Sequence, residues 1–201
     1  MMPWKAAAIL AMLLGGAWSA RADQLVTDSS FENIALGPIG PDVTSGGWIF
    51  NPYSADSGDS VGGVSSPVHS GSQAAYFTAY NETDIDISQL INFSSALNGM
   101  PAVLTFWVEN GNSNNQLTVT LGTQSQFYSS LATGGYMEYT VNFTLGTSPQ
   151  TLLFDFNGGD GESPTTLYLD DVSLNAPEPA SMALLGAGLL GLGLLRRRKA
   201  G

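Results

Sequence analysis

The charged side chains of this sequence are divided between its middle and its two ends. All six Lys and Arg residues lie before residue 23 or after residue 195, whereas every Asp and Glu except Glu178 lies within residues 23–176. Because phosphate is bound chiefly by Lys and Arg, this middle segment is not expected to bind nucleic acid. The chain has no cysteine and a single histidine, His69, which excludes thiolate chemistry and disulfides and argues against zinc. Chemistry in the segment therefore depends on carboxylates, hydroxyls, amides and aromatic rings.

One short motif has the spacing of a serine hydrolase. Gly58-Asp59-Ser60-Val61-Gly62 matches G-x-S-x-G, and His69 follows closely. The nucleophile of such an enzyme lies at a sharp turn between a strand and a helix. Both flanks of Ser60 are rich in Gly, Ser and Pro, which is typical of loops. We therefore interpret residues 51–69 as a long polar loop rather than as a nucleophile elbow.

A second set of residues is suited to binding sugars. Trp107 and Glu109 are predicted to share one face of a strand, and Thr118 and Thr120 form the polar face of the next strand. Sugars stack their apolar faces on flat aromatic rings, while carboxylates and hydroxyls bind the sugar hydroxyls. These four side chains are our candidate ligand-binding surface. The alternative is that Trp107 packs beneath a loop as a small additional core.

Segments with two-residue periodicity follow one another through the middle of the chain, separated by turns rich in Gly, Asn and Pro. Outside the two termini, no window has a convincing helical period. The pattern predicts an all-β domain over residues 23–175, an antiparallel β-sandwich of the jelly-roll type. The predicted strands are Leu25–Phe31, Gln73–Thr78, Asp84–Ile91, Val103–Glu109, Leu117–Leu121, Tyr136–Leu145, Thr151–Phe156 and Leu167–Leu174, and Gly47-Trp48-Ile49-Phe50 is a short apolar piece ahead of a long polar loop.

The N-terminus carries a secretion signal. Lys5 precedes an apolar run from Ala6 to Ala17, and Ala20-Arg21-Ala22 has the small-x-small pattern of a signal cleavage site. Residues 1–22 are therefore predicted to be a signal peptide that is cut after Ala22. An uncleaved anchor is the alternative, and the shortness of the apolar run argues against it.

The C-terminus has three parts in a fixed order. Pro177-Glu178-Pro179 is followed by an apolar run over 180–195 and then by Arg196, Arg197, Arg198 and Lys199. As a helix the run spans roughly 24 Å, and long Arg side chains reach the headgroups of a bilayer that is slightly thicker. We predict a single transmembrane helix whose basic end stays in the cytoplasm. A buried core helix is the alternative, but the run has no polar face.

This order resembles the PEP-CTERM sorting signal of exported Gram-negative bacterial proteins. The resemblance covers residues 176–201 and implies recognition by exosortase, a membrane-embedded protease that cuts near the Pro-Glu-Pro. The prolines keep Pro177–Pro179 extended and outside the following helix, which suits a protease cleft. The expected route is export through the inner membrane, transient anchoring there by the C-terminal helix, and final location at the cell surface or in the extracellular matrix.

The middle segment resembles the galactose-binding-like jelly rolls that include many carbohydrate-binding modules. The resemblance is carried by short motifs spread over residues 25–174: Leu25-Val26-Thr27-Asp28-Ser29-Ser30-Phe31-Glu32, Trp48, His69-Ser70-Gly71-Ser72-Gln73, Leu104-Thr105-Phe106-Trp107-Val108 and Tyr168-Leu169-Asp170-Asp171-Val172-Ser173-Leu174. It implies a structural calcium ion that ties the first strand to the last. By position, its ligands would be Glu32 and either Asp170 or Asp171.

Charge supports the calcium prediction. With no Lys or Arg in the segment, a buried carboxylate needs a metal ion or several hydrogen-bond donors. Asp170 is predicted to share a strand face with the apolar Val172 and Leu174, so it is the acid most readily drawn inward, while a bulge would exchange it with Asp171. The alternative is that backbone donors at a strand end hold these acids.

Together these features predict an exported, exosortase-sorted surface or matrix protein. Its sandwich is expected to be non-catalytic and to bind a polysaccharide, in connection with exopolysaccharide or biofilm. Two alternatives remain: a structural surface protein without a small ligand, and a secreted glycoside hydrolase that uses a pair of carboxylates.

Overall fold

Two antiparallel β-sheets stack face to face in the computed structural model, with the hydrophobic core between them. The structure describes residues 23–52, 58–79, 84–158 and 164–176, together with Gly188. The predicted signal peptide and, apart from Gly188, the predicted helix 180–195 lie outside the described residues. Within the described part of the chain, no helix is both long and apolar enough to cross a membrane. The prediction of an all-β sandwich is confirmed.

Thirteen strands and one short 3-10 helix, Ser95–Leu97, make up the described domain. In chain order the strands are β1 (Asp23–Gln24), β2 (Gly37–Pro38), β3 (Val43–Ser45), β4 (Trp48–Asn51), β5 (Ser60–Val64), β6 (Ala74–Ala79), β7 (Asp84–Ile91), β8 (Pro101–Asn110), β9 (Gln116–Leu121), β10 (Gln124–Tyr128), β11 (Gly134–Thr144), β12 (Gln150–Asn157) and β13 (Thr165–Ala176). Sheet A has the order β11-β8-β13-β6-β5-β2, with β1 also paired to β13. Sheet B has the order β10-β9-β12-β7-β4-β3.

The alternation seen in the sequence explains which side chains enter the core. In β9, Leu117, Val119 and Leu121 are fully buried, while the threonines between them point outward. The same period-two burial runs through β8 and β12. Since burying one large apolar side chain contributes about 1.5–3 kcal/mol, facing rows of this kind stabilise the stacked sheets.

The opening segment differs from the prediction. Residues 25–31 do not form a strand, because only Asp23 and Gln24 pair with β13. The chain then turns, with Asp28 and Phe31 at positive φ values of 46° and 57°. Phe31 is nevertheless fully buried, and its ring centroid lies 5.1 Å from that of Trp48. The apolar residues here enter the core from a loop, which the alternation alone did not reveal.

Five strands, β1, β2, β3, β5 and β10, have no counterpart among the segments that the sequence predicted. β5 lies inside the predicted loop 51–69, and β10 lies in a segment for which we predicted no strand. The glycines of β5 look like turn residues but serve close packing instead. A Cβ atom on Gly62 would lie only 2.0 Å from the carbonyl oxygen of Gly37 in β2. The strand therefore needs glycine where another chain segment crosses it.

A buried amide network closes the turn between β8 and β9. Asn110 is 2% exposed and its Nδ2 donates to the carbonyl oxygens of Asn112 and Leu131, at 2.7 and 3.1 Å. Its Oδ1 accepts a hydrogen bond of 2.7 Å from Nδ2 of the fully buried Asn115. The Asn110 side chain thus joins two backbone carbonyl groups and a second buried amide at this end of the sandwich.

We expect Asn110→Leu to lower the free energy of unfolding by about 2–3 kcal/mol, because it leaves buried polar partners without hydrogen bonds while keeping the volume similar. Urea denaturation followed by tryptophan fluorescence measures this. Ser113→Ala, at an exposed position of the same turn, is the control and should change stability by less than about 0.5 kcal/mol. Equal effects of the two substitutions would show that the network does not stabilise the turn.

Candidate functional site

Aromatic side chains and a carboxylate line the outer face of sheet A. Tyr76 of β6, Tyr168 of β13 and Glu109 of β8 occupy directly opposed positions on three neighbouring strands. Each alternates with core residues along its strand, so its side chain points away from the core and is half-buried. We call these three residues, together with Trp107 and Tyr136, the aromatic face.

Trp107 lies on the same face as Glu109 and is covered by His69. Their ring centroids are 3.7 Å apart and the ring planes differ by 14°, a stacked arrangement. Tyr136 packs against His69 at 5.6 Å, and its hydroxyl donates to the carbonyl oxygen of Pro67 at 3.2 Å. This is the packing beneath a loop that was the alternative for Trp107. Trp107 is half-buried, and sugar binding by Trp107 and Glu109 stays a prediction.

Thr118 and Thr120 do not join this surface. They belong to β9 in sheet B and face outward on the opposite side of the sandwich, where Thr120 Oγ1 lies 2.8 Å from Ser125 Oγ. The prediction that these threonines share a surface with Trp107 and Glu109 is wrong. The prediction fails because β8 belongs to sheet A, whereas the chain crosses to sheet B in the turn that leads to β9.

Asp170 is fully buried beneath the loop that contains His69. Its Oδ2 accepts hydrogen bonds from the backbone N–H groups of His69 and Ser70 at 2.8 and 3.1 Å, and its Oδ1 accepts one from Asp171 N at 2.8 Å. Burial raises the pKa of the Asp170 carboxyl, and these backbone donors partly oppose the rise. The carboxylate therefore fastens the loop to β13.

A bulge in β13 sets the direction of this side chain. Asp171 has a φ of 48°, and the pairing with β8 shifts register between Asp170 and Ser173. The extra residue places Asp170 opposite Trp107 on the outer face, while Val172 remains in the core. The expectation that Asp170 shares a face with Val172 is therefore wrong, although its burial is as expected.

Asp171 holds the imidazole of His69. Its Oδ2 lies 2.6 Å from His69 Nδ1, and its Oδ1 accepts a 2.8 Å hydrogen bond from Ser70 Oγ. A carboxylate oxygen only accepts hydrogen bonds, so Nδ1 of His69 is the donor in this contact. The pair fixes the ring in its stacked position over Trp107.

The G-x-S-x-G segment has no hydrolase geometry. Ser60 is the first residue of β5 and pairs with Thr78 of β6. The chain continues from Val64 into a loop, whereas a nucleophile elbow requires a helix after the serine. His69 is engaged with Asp171 and Trp107 instead.

Glu32 binds the far end of the same loop. Its Oε1 accepts hydrogen bonds from the backbone N–H groups of Ser72 and Gln73 at 2.7 and 3.1 Å, and its Oε2 accepts one from the Ser72 hydroxyl. The Ser72 hydroxyl and N–H hold the pKa of Glu32 below its usual value. Glu32, near the start of the domain, and Asp170, near its end, thus bond to the two ends of segment 69–73, and we call this arrangement the clamp.

This clamp coincides with the predicted calcium ligands. Both carboxylates accept backbone donors, as the alternative to calcium requires. Among the described residues, no three His, Asp or Glu side chains are grouped to hold a metal, so an ion here needs neutral oxygens as well. Gln73 Oε1 is one such oxygen, since it is buried without a hydrogen-bond partner while Nε2 of the same amide donates to Glu32 O at 3.3 Å. Oxygen donors of these kinds suit calcium, and its binding stays a prediction.

Comparison with known proteins found matches for the C-terminal segment and for the sandwich. Residues 175–199 match the PEP-CTERM protein-sorting motif. No match was found among curated protein sequences. The sandwich is similar to TmCBM61, solved in complex with β-1,4-galactotriose, with a TM-score of 0.53 and 17% identity over 76% of this chain and 98% of that chain.

Two further structures contain a similar sandwich. The tandem CBM22-1-CBM22-2 domain of Paenibacillus barcinonensis Xyn10C gives a TM-score of 0.50 and 13% identity over 81% of this chain and 48% of that chain. The MgGH51 α-L-arabinofuranosidase gives 0.53 and 13% over 81% of this chain and 28% of that chain. At such identities the likeness establishes the fold, which is the jelly roll of carbohydrate-binding modules. The chain therefore joins a PEP-CTERM sorting motif to a sandwich of that fold.

We expect calcium to raise the thermal unfolding midpoint of the protein and EDTA to lower it. Free calcium at about 100 times its dissociation constant contributes roughly 2.7 kcal/mol of stability. Differential scanning fluorimetry measures the shift, and Glu32→Gln should reduce it while Asp42→Asn, a charge-matched control, should not. An unfolding midpoint that changes with neither calcium nor EDTA would contradict the calcium prediction.

Proposed function

We propose that this chain is an exported protein, sorted to the cell surface or matrix by its C-terminal motif, whose sandwich binds a neutral polysaccharide without catalysing a reaction. The observation that carries the proposal is the aromatic face, with its half-buried tyrosines beside a carboxylate. The fold of carbohydrate-binding modules supports it as an analogy, since function depends on the site rather than on the fold. Exosortase is the processing partner that the sorting motif implies.

The aromatic face has the chemistry that sugars need. Tyr76 and Tyr168 stand side by side on neighbouring strands, and their rings provide flat apolar area. Glu109 adjoins Tyr168 and supplies acceptors, while Thr78 and Thr166 lie next along the same two strands with their hydroxyl oxygens 3.1 Å apart. A pyranose that stacks on the tyrosines would thus find hydrogen-bonding groups on two sides.

Surrounding groups keep this face ordered. Burial, together with the nearby carboxylates of Asp170 and Glu109, holds the pKa of Tyr136 above its usual value, so its hydroxyl stays protonated and donates to Pro67. His69 stacks on Trp107 and is oriented by Asp171. A pre-ordered platform loses little conformational freedom when a ligand binds.

Charge determines which polysaccharide suits the face. The domain has many carboxylates and no Lys or Arg, so an anionic polymer is repelled unless a divalent cation lies between them. A neutral polysaccharide meets no such barrier. We therefore infer binding to a neutral component of the extracellular matrix.

A glycoside hydrolase is the second candidate because of one pair of carboxylates. Asp86 of β7 and Asp155 of β12 oppose each other on the outer face of sheet B. Burial raises the pKa of Asp86, as does Asp42, while a 3.1 Å hydrogen bond from Asn51 Nδ2 lowers it. A pair of neighbouring carboxylates is the set of groups that most glycosidases use. This pair lies on the sheet opposite to the aromatic face.

Tyr168→Ala should weaken binding to a neutral polysaccharide about fivefold, because loss of one stacked ring costs about 1 kcal/mol. Trp107→Ala should weaken it as well, with the fold retained. Affinity electrophoresis against a panel of neutral glucans, xylans and galactans measures the effect. Phe127→Ala is the matched control, since Phe127 is an aromatic residue 54% exposed on the outer face of sheet B.

The outcomes separate the candidates. Weakened binding by Phe127→Ala but not by Tyr168→Ala would move the site to the other sheet. Unfolding by Trp107→Ala would make that residue part of the core, and no binding to any glycan would favour the purely structural protein. Release of reducing sugar that Asp86→Asn abolishes would establish the hydrolase instead.

Processing provides a test of the sorting route. The mature surface protein should begin at Asp23 and end close to Glu178, which mass spectrometry of protein extracted from the cell surface can determine. Glu178→Ala should block cleavage at the C-terminal end and leave cleavage after Ala22 unaffected. Peptides covering Arg196–Gly201 as part of the main surface form would contradict the assignment.

A further inference from the structure

The longest edge strand of the sandwich is open on one side. β11 has eleven residues and stands at the end of sheet A, where it pairs with β8 alone in the part of the chain that the structure describes. The other end strands, β2, β3 and β10, have two, three and five residues. Proteins commonly protect such an edge with Lys, Pro or a bulge in its middle. β11 has neither Lys nor Pro, its irregularity lies at its start, and Glu138 is its one charged residue.

The backbone directions along β11 follow from its hydrogen bonds. Leu145 N donates to Met100 O at 2.9 Å, so the polar groups of Leu145 point toward β8. Those of Thr144 point away, because they bond at 3.0 and 2.6 Å to the side-chain amide of Gln124. The register is continuous from Met137 to Thr144, and the backbone polar groups of successive residues in a strand point to opposite sides. The N–H and C=O groups of Glu138, Thr140 and Asn142 therefore point outward from the sheet.

We propose that this edge pairs in antiparallel orientation with the same edge of a second copy of the chain, with the twofold axis at Thr140. Thr140 would then face Thr140 of the second copy, and Glu138 would face Asn142. The three outward-pointing residues of each copy would form an uninterrupted ladder. Gln124 already occupies the polar groups of Thr144, which confines the ladder to residues 138–142.

Self-complementarity selects a second copy as the partner. An isologous pair requires every residue to meet a compatible one, and here the single carboxylate meets an amide rather than another carboxylate. An axis at Glu138 would instead bring two carboxylates together in a domain that has no Lys or Arg to neutralise them. The axis at Thr140 avoids this repulsion.

The inner side of the edge supports the same register. Met137, Tyr139, Val141 and Phe143 alternate with the polar residues and form an apolar row, in which Met137 is 49% exposed. With the axis at Thr140, Met137 would face Phe143 and Tyr139 would face Val141. Pairing would thus cover the exposed methionine with apolar neighbours on a continuous double-length sheet.

The expected dimer is weak and sensitive to salt. A single strand edge is a small interface, and the remaining acidic surfaces of the two copies repel each other. Raising the ionic strength should therefore favour pairing. Attachment to a surface or matrix would raise the local concentration and favour it further.

Cysteine scanning of the full chain tests the register, since the chain has no cysteine of its own. Opposed residues of a hydrogen-bonded pair have Cα atoms about 5.5 Å apart, which suits a disulfide. Under mild oxidation Thr140→Cys should form disulfide dimers at least about tenfold faster than Thr151→Cys, an exposed position on sheet B. Non-reducing electrophoresis measures the rates, which should rise with salt.

Mixing two variants distinguishes pairing from collision. Glu138→Cys should crosslink rapidly with Asn142→Cys and slowly with itself. Equal rates for Thr140→Cys and Thr151→Cys would overturn the proposal, and so would rapid self-crosslinking of Glu138→Cys. The conservative size of cysteine at exposed positions keeps the fold, which the unfolding midpoint of the reduced proteins checks.

Discussion

The buried carboxylate of Asp170 is the interaction on which the outer face of sheet A depends. It accepts hydrogen bonds from three backbone N–H groups and holds the loop that contains His69 against β13. His69 then covers Trp107, and Tyr136 completes the contact. Without this anchor Asp171 and Glu32 would still hold the loop, but the side chains of the aromatic face would be less well ordered.

A wider constraint lies behind this anchor, because no basic side chain is available in the domain. Each carboxylate near the core must be satisfied by backbone donors, hydroxyls, side-chain amides, the single histidine or a metal ion. Glu32 uses the backbone and hydroxyl of Ser72, Asp171 uses His69 and Ser70, and Asp170 uses the backbone alone. The same constraint makes anionic ligands unfavourable and leaves few means of protecting an open strand edge. The proposed choice of ligand and the proposed self-association therefore both rest on one property of the composition.

The two outer faces of the sandwich offer different chemistry. Sheet A presents tyrosines, Trp107 and one half-buried carboxylate, whereas sheet B presents opposed aspartates and scattered hydroxyls. The edge strand β11 lies beside the aromatic face, because it pairs with β8, the strand that contains Trp107. A dimer through β11 would place two aromatic faces on one continuous sheet, which is a suitable arrangement for a long polymer.

The sequence alone determined the fold class, the sorting motif and the separation of charges, because alternation, composition and short-range order are local properties. The resemblance to galactose-binding-like jelly rolls led us to pair Glu32 with Asp170 or Asp171, and in the structure Glu32 and Asp170 bond to opposite ends of one loop. Only the tertiary structure decided which sheet each strand joins, so Thr118 could be assigned to the wrong surface. The bulge at Asp171, which the sequence offered only as an alternative, and the strand β5 likewise required the tertiary structure. Alternation shows which side chains share a face of one strand, but sheet membership and bulges depend on hydrogen bonds between residues far apart in the chain.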